Sequence, residues 1–143
     1  MSEPSILVLM YIAQRSAENR IVTAIQDAGY DITLAQARVM ARINPEGTRL
    51  SELAEAAQIT KQTATALIDR LETAGWVERV PDPTDGRARL VRLTAQAWLG
   101  PGPLARATER AIEAEWTEQL GEPLMAELRR AMLSLREITD PYR

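Results

Sequence analysis

The sequence contains no cysteine and no histidine. The first absence excludes disulfides, thiolate catalysis, thiol redox sensing and every cysteine-based zinc site. The second removes the commonest general base, the commonest metal ligand and the side chain that most readily changes charge near neutral pH. Metal chemistry is left to carboxylates, and catalysis to Asp, Glu, Lys, Ser, Thr or Tyr. Long apolar runs are also missing. The longest, Ile6 to Ala13, falls well short of the roughly 20 residues that span a bilayer, and the opening Met-Ser-Glu-Pro lacks the basic region of a signal peptide. The expectation is a soluble, cytoplasmic chain with no membrane partner. No Gly-rich phosphate loop, Ser/His/Asp constellation or metal-ligand spacing is found, so neither a cofactor, nor a metal, nor an enzyme activity is expected.

What is there is ordinary soluble sequence of single-domain size: 143 residues, 45% hydrophobic and 26% charged. The net charge of −3 is unevenly spread. Residues 1–57 carry 5 Lys/Arg against 7 Asp/Glu, residues 58–92 carry 6 against 5, and residues 93–143 carry 6 against 8. The central third is the only one that does not repel a polyanion, though the contrast is small.

Apolar residues from Ile6 to Ile25 recur at three and four residues, predicting one long amphipathic helix that ends near Ala28-Gly29. Thr33, three before Gln36, predicts a capping box for a second helix through Ile43. Ser51 is expected to cap a short third helix, Glu52 to Ala57, and Thr60 a fourth, Lys61 to Ala74, stopped by Gly75. From Trp76 the period changes to two. Trp76 to Val80 and Ala88 to Leu93 read as strands, with Asp85-Gly86 as the turn between them. Thr94 can cap a fifth helix, interrupted at Gly100 to Pro103 and resuming from Leu104 to Leu120, and a sixth runs from about Glu122 to Ile138. The fold class is therefore mainly α with one hairpin.

Two helices joined by Gln58-Ile59-Thr60 and followed by a hairpin have the layout of a winged helix-turn-helix. Leu53, Ala54 and Ile59 are spaced to face Ala64, Leu67, Ile68 and Leu71, with alanines where the helices cross. The opposite face of the second helix presents Lys61, Gln62, Thr65, Ala66, Asp69 and Arg70, suited to the edges of bases in a major groove. Free amides near Thr60 favour a phosphate.

On Leu50-Ser51-Glu52-Leu53-Ala54, Ile59 to Thr65, Leu67 to Glu72, Gly75 to Arg79, Asp82, Asp85, Arg87 and Leu93-Thr94, the chain resembles the MarR-type winged-helix transcriptional regulators. These motifs cover about a third of the chain, and the order of the flanking helices extends the likeness to its whole length. The resemblance implies a single domain over 1–143: dimerisation helices over 1–30 and 104–143 around a winged-helix core over 33–95. It also implies a homodimer on a palindromic operator in double-stranded DNA, commonly as a repressor, with release by a small-molecule effector. Thr60, Lys61, Gln62, Thr63 and Thr65 then become candidate base or phosphate contacts. Thr63 could equally be a structural hydroxyl of the turn, and the bland alternative for the whole set is a solvated helix face. Arg70 would reach a phosphate or a nearby carboxylate. Arg87 would enter the minor groove with Asp85 holding its guanidinium, and Arg79 and Arg89 are further phosphate candidates.

Two residues depart from the family pattern. Gln58 stands where the turn often carries glycine, and Gly86 where the wing is often basic. Acidic net charge and Gly86 leave open an alternative, a winged-helix protein-interaction module without specific DNA binding. Cysteine oxidation and histidine protonation cannot regulate this chain. A ligand pocket is expected at the junction of the dimerisation helices and the winged domain, from Met10, Tyr11, Met40 and Trp98, with Arg15 and Arg38 to pair an aromatic or phenolic anion. For Tyr11 and Trp98, as for Trp116, dimer or domain core is the other reading. The Gly100 to Pro103 break is either a fixed kink or a hinge at that pocket's edge.

Overall fold

The computed structural model describes residues 2–142. Helix α1 (Ile6–Asp27) starts at Ser5, whose hydroxyl accepts the Val8 amide at 3.3 Å. Helix α2 (Leu34–Met40) carries the expected capping box: the Gln36 amide donates to Thr33 Oγ1 at 3.1 Å and the Thr33 amide to Gln36 Oε1 at 3.0 Å. It stops at Met40 rather than Ile43.

Helix α3 (Leu50–Ala56) begins before Ser51, so Ser51 does not cap it. The N-cap is Arg49, which gives the helix no side-chain cap. Gln58 then turns the chain at φ 58°, the left-handed region, and is the non-glycine residue with positive φ among those described. Helix α4 (Lys61–Ala74) is capped by Thr60 and ended by Gly75 at φ 88°. Ala54 and Ala64, 4% and 0% exposed, sit buried between α3 and α4. Small side chains at both positions let the two backbones approach.

Strands β1 (Val77–Asp82) and β2 (Asp85–Leu93) form an antiparallel hairpin with Val77 opposite Leu93 and Pro81 opposite Arg89. Both strands run further than the alternation predicts, and the turn falls at Pro83-Thr84, with Asp85-Gly86 already in β2. Thr48 adds a two-bond bridge to Val91, each amide donating to the other's carbonyl at 2.8 Å, which ties the segment before α3 to the sheet.

Helix α5 (Ala95–Leu99) is capped by Thr94, and α6 (Pro101–Leu120) starts immediately after Gly100, with Pro101 and Pro103 in its first turn instead of in the break. The corner is tightly packed. A Cβ on Gly100 would lie 3.0 Å from the Tyr30 hydroxyl, and one on Gly102 would lie 2.9 Å from the Ala97 carbonyl oxygen. This packing favours the fixed kink over the hinge. Helix α7 (Glu122–Thr139) closes the chain.

The core joins every layer of the winged half: Ile25 and Ile32, Val39 and Ile43, Leu53, Ile68 and Leu71, Trp76, Val77, Val91 and Ala97. Burial of each larger side chain is worth about 1.5–3 kcal/mol, so this cluster is what fixes α4 relative to the hairpin. Tyr30 meets Trp76 edge-on with ring centroids 5.7 Å apart. By contrast, α7 contributes no buried residue. Leu7, Tyr11 and Ile12 on α1 and Leu124, Leu133 and Ile138 on α7 remain more than half exposed.

Candidate nucleic-acid interface

The N-terminus of α4 is built by its threonines. Thr60 Oγ1 accepts the Thr63 amide at 3.0 Å and donates to Thr63 Oγ1 at 2.9 Å. The Thr60 proton is thereby spent, whereas the Thr63 hydroxyl keeps its own proton to donate outward. Thr63 thus has a structural contact and a free donor at once. Thr65 Oγ1 donates back to the Lys61 carbonyl at 2.9 Å, leaving its lone pairs as acceptors. Lys61, Gln62 and Arg70 are exposed on the same helix.

Charge pairing divides the basic residues of residues 58–92 into two sets. Arg79 and Arg92 are engaged by carboxylates: Arg79 Nη2 donates to Asp69 at 2.8 Å and Nη1 to Glu72 at 2.7 Å, and Arg92 Nε donates to Glu78 at 2.6 Å. Lys61, Arg70, Arg87 and Arg89 form no ion pair among the described residues. Arg87 and Arg89, two apart on β2, share one face of the wing and are exposed. Arg70 pairs with no carboxylate, and Arg79, half-buried between α4 and β1, has both terminal nitrogens occupied and acts as a strap between helix and wing.

Asp85 does not hold the Arg87 guanidinium. Its Oδ1 accepts the Arg87 backbone amide at 3.1 Å, and its Oδ2 lies 3.8 Å from Arg49 Nη2. A two-residue spacing places the carboxylate over the backbone turn, so Asp85 shapes the base of the wing and leaves the guanidinium free.

The anchor of the wing is a pair that residue spacing did not bring forward. Asp82, 6% exposed, accepts from Arg49 Nε at 2.9 Å and Nη2 at 2.8 Å on Oδ2, and from the Thr84 amide and hydroxyl at 2.8 Å on Oδ1. The Thr84 amide, then its hydroxyl, then Arg49 hold the Asp82 carboxyl down at about 2. Arg49 is raised in turn by the same hydrogen bond. Arg49, at the N-cap position of α3, thus spends its guanidinium on the turn 33 residues away, while α3 starts with no side-chain cap.

A cavity of about 350 Å³ lies where α1, α2, α5 and α6 meet, lined by Ile21, Ile25, Met40, Leu93, Trp98, Ala105 and Arg106 among others. Of the expected pocket residues it includes Met40 and Trp98, but not Met10 or Tyr11, which lie too far toward the start of α1. Arg38 is committed to Glu18 at 2.6 Å, and Arg15 does not line the cavity either. The cation present is Arg106, stacked over Trp98 with its guanidinium carbon 5.6 Å from the ring centroid. No group of three Asp/Glu side chains that could hold a metal is found among the described residues, nor any helix long and apolar enough to cross a membrane.

Helix α4 behind a short turn, a two-stranded wing bearing free arginines, and long flanking helices define a winged helix-turn-helix protein. Residues 30–88 match the MarR family. The multiple antibiotic resistance protein MarR of Escherichia coli K12 is 40% identical over 65 residues, 45% of each chain. The match spans about half the length of such curated relatives. Over nearly the whole chain, the fold is that of wild-type apo MarR from E. coli, with a TM-score of 0.72 and 24% identity over 94% of this chain and 98% of that one. A mutant E. coli MarR solved with operator DNA gives 0.68 and 25% over 89% and 90%. Over residues 30–88 the chain is similar to the MarR family, and over nearly its whole length it shares the fold of the solved MarR structures.

Proposed function

We propose that this protein is a sequence-specific DNA-binding transcriptional repressor that acts as a homodimer on a palindromic operator. The observation that carries the reading is the division of charge: Lys61, Arg70, Arg87 and Arg89 are unpaired on the recognition helix and wing, while Arg79 and Arg92 between them are neutralised. Phosphates would complete the unpaired set. Thr60, Lys61 and Thr63 at the start of α4 suit a phosphate and the first base edges, Gln62 and Thr65 suit bases, and Arg87 suits a narrow minor groove. The domain divides as dimerisation helices over 1–30 and 104–143 around a winged core over 33–95. The exposed leucines of α1 and α7 are the self-complementary surface. An aromatic or otherwise apolar anion in the cavity beside Trp98 and Arg106 is the effector chemistry that fits.

The test is selection of binding sites from random duplexes, followed by affinity measurements over a range of salt. The expected result is a palindrome with half-sites roughly 34 Å apart and a steep negative dependence of affinity on salt. A flat salt dependence with no enriched sequence would overturn the reading in favour of a protein-interaction module. Sedimentation of a stable monomer at micromolar concentration would overturn the dimer.

A further inference from the structure

We propose that Asp140 and Tyr142, just beyond α7, form an intramolecular latch that sets the orientation of the helix-turn-helix lobe against the flanking helices, with Arg42 as its catch. Asp140 Oδ1 accepts from Arg42 Nη2 at 2.7 Å, and Oδ2 accepts from Arg136 Nε at 2.9 Å. The Tyr142 amide turns back onto Asp140 Oδ1 at 3.0 Å, and its hydroxyl donates to Glu55 Oε2 at 2.8 Å. These contacts join positions 98 and 87 residues apart in sequence. They are polar and directional, and the Asp140 side chain is 12% exposed, so the central carboxylate is largely shielded from water.

Three features make this more than a stray terminal contact. First, α7 packs along α6 and buries none of its residues in the chain, and the hook ties its end to the winged lobe. Second, the hook grips the lobe at the turn after α2 and at Glu55 on α3. It does not touch α4, and it reaches the recognition helix through the close α3–α4 packing at Ala54 and Ala64. Third, Arg42 lies between Ala41 and Ile43, which both line the cavity, and its buried Nε has no hydrogen-bond partner. A closed latch restricts the small residual motion that the shared core leaves to the lobe; an open one widens it. Because two recognition helices must meet half-sites at a fixed separation, restricting that motion preorganises binding.

The latch itself stands on the contacts above; its effect on DNA rests on the function proposed for the chain. A cysteine-free sequence permits a clean test. Cysteines at Ala74 on α4 and Gln119 on α6, both exposed, carry spin labels, and the labelled chain is diluted with excess unlabelled chain so that each pair reports within one molecule. Asp140→Asn is expected to broaden the distance distribution, and Tyr142→Phe to do so less, with helix content unchanged in both. Operator affinity is expected to fall about 5-fold in Asp140→Asn, the lower end of ordinary coupling between sites, with the salt dependence unaltered because no phosphate contact is lost. Unchanged distributions in both variants overturn the latch. A broadened distribution with unaltered operator affinity overturns its role in presetting the lobe. Should the parent chain bind no DNA, the function proposed above fails while the distances still decide the latch.

Discussion

Arg79 Nη2 lies 2.8 Å from Asp69 Oδ1, joining the first strand of the wing to the middle of the recognition helix. Glu72, one helical turn along, takes the other terminal nitrogen at 2.7 Å. Helix α4 and the wing are thus strapped together by a cation that spends its charge inside the protein.

Salt dependence separates this strap from the proposed phosphate contacts. Lys61→Ala and Arg87→Ala are each expected to flatten the slope of log affinity against log salt by about one. Arg79→Gln is expected to leave the slope unchanged and lower stability by no more than about 1 kcal/mol, as befits a partly exposed ion pair. A slope reduced by Arg79→Gln as much as by Lys61→Ala would show that the strap opens on DNA.

Gly86 offers a gain rather than a loss. A Cβ there meets nothing within 4 Å, so a side chain is accommodated. Gly86→Lys adds a cation beside Arg87 and is expected to tighten DNA binding and steepen the salt slope by about one, without altering the preferred sequence. Binding unchanged at low salt would place the wing tip away from the phosphates.

Gln58 at φ 58° carries strain that glycine would not. Gln58→Gly is expected to stabilise the turn by about 0.5–1 kcal/mol, seen as a melting temperature roughly 2–4 °C higher. A lower melting temperature would mean that the Gln58 side chain repays its backbone conformation through contacts of its own.

The wing should loosen in acid. Asp82 is held at about 2, against 3.8 for a free aspartate, by Thr84 and then Arg49. A carboxylate depressed in the folded state contributes its full stability above 3.8 and loses it as pH falls through about 2. The Thr84 amide resonance should therefore shift across that window. In Asp82→Asn the shift should vanish and the wing should be mobile already at neutral pH. A wing equally ordered in Asp82→Asn would overturn the anchoring role.

The helix ends were legible because their determinants are local. Thr33, Thr60 and Thr94 cap the helices that follow them, and Gly75 terminates α4. What was not legible depended on distant partners. Ser51 looks like the cap of α3, but the helix starts one residue earlier at Leu50, while Arg49 before it is held by Asp82 across the fold. The hairpin turn looks like Asp85-Gly86 until the Asp82 carboxylate is seen gathering Thr84. Of the four residues expected around a pocket, Met40 and Trp98 line the cavity and Met10 and Tyr11 do not. Periodicity reports which face of α1 is apolar, but not which end of a 22-residue helix, about 33 Å long, reaches the junction. Arg106 reads from spacing as part of a solvated, salt-bridged helix face, because its stacking on Trp98, eight residues earlier, depends on the Gly100 corner.

Helix α7 buries nothing within its own chain. For a homodimer, this ties folding to assembly: the stripe from Leu124 to Ile138 is ordered by the second copy, and the melting temperature must climb with protein concentration. The number of copies in a cell would then govern how much of the chain has α7 held in an assembled dimer. A promoter silenced by this chain would respond to dilution at cell division and to the rate of its synthesis, with no small molecule involved.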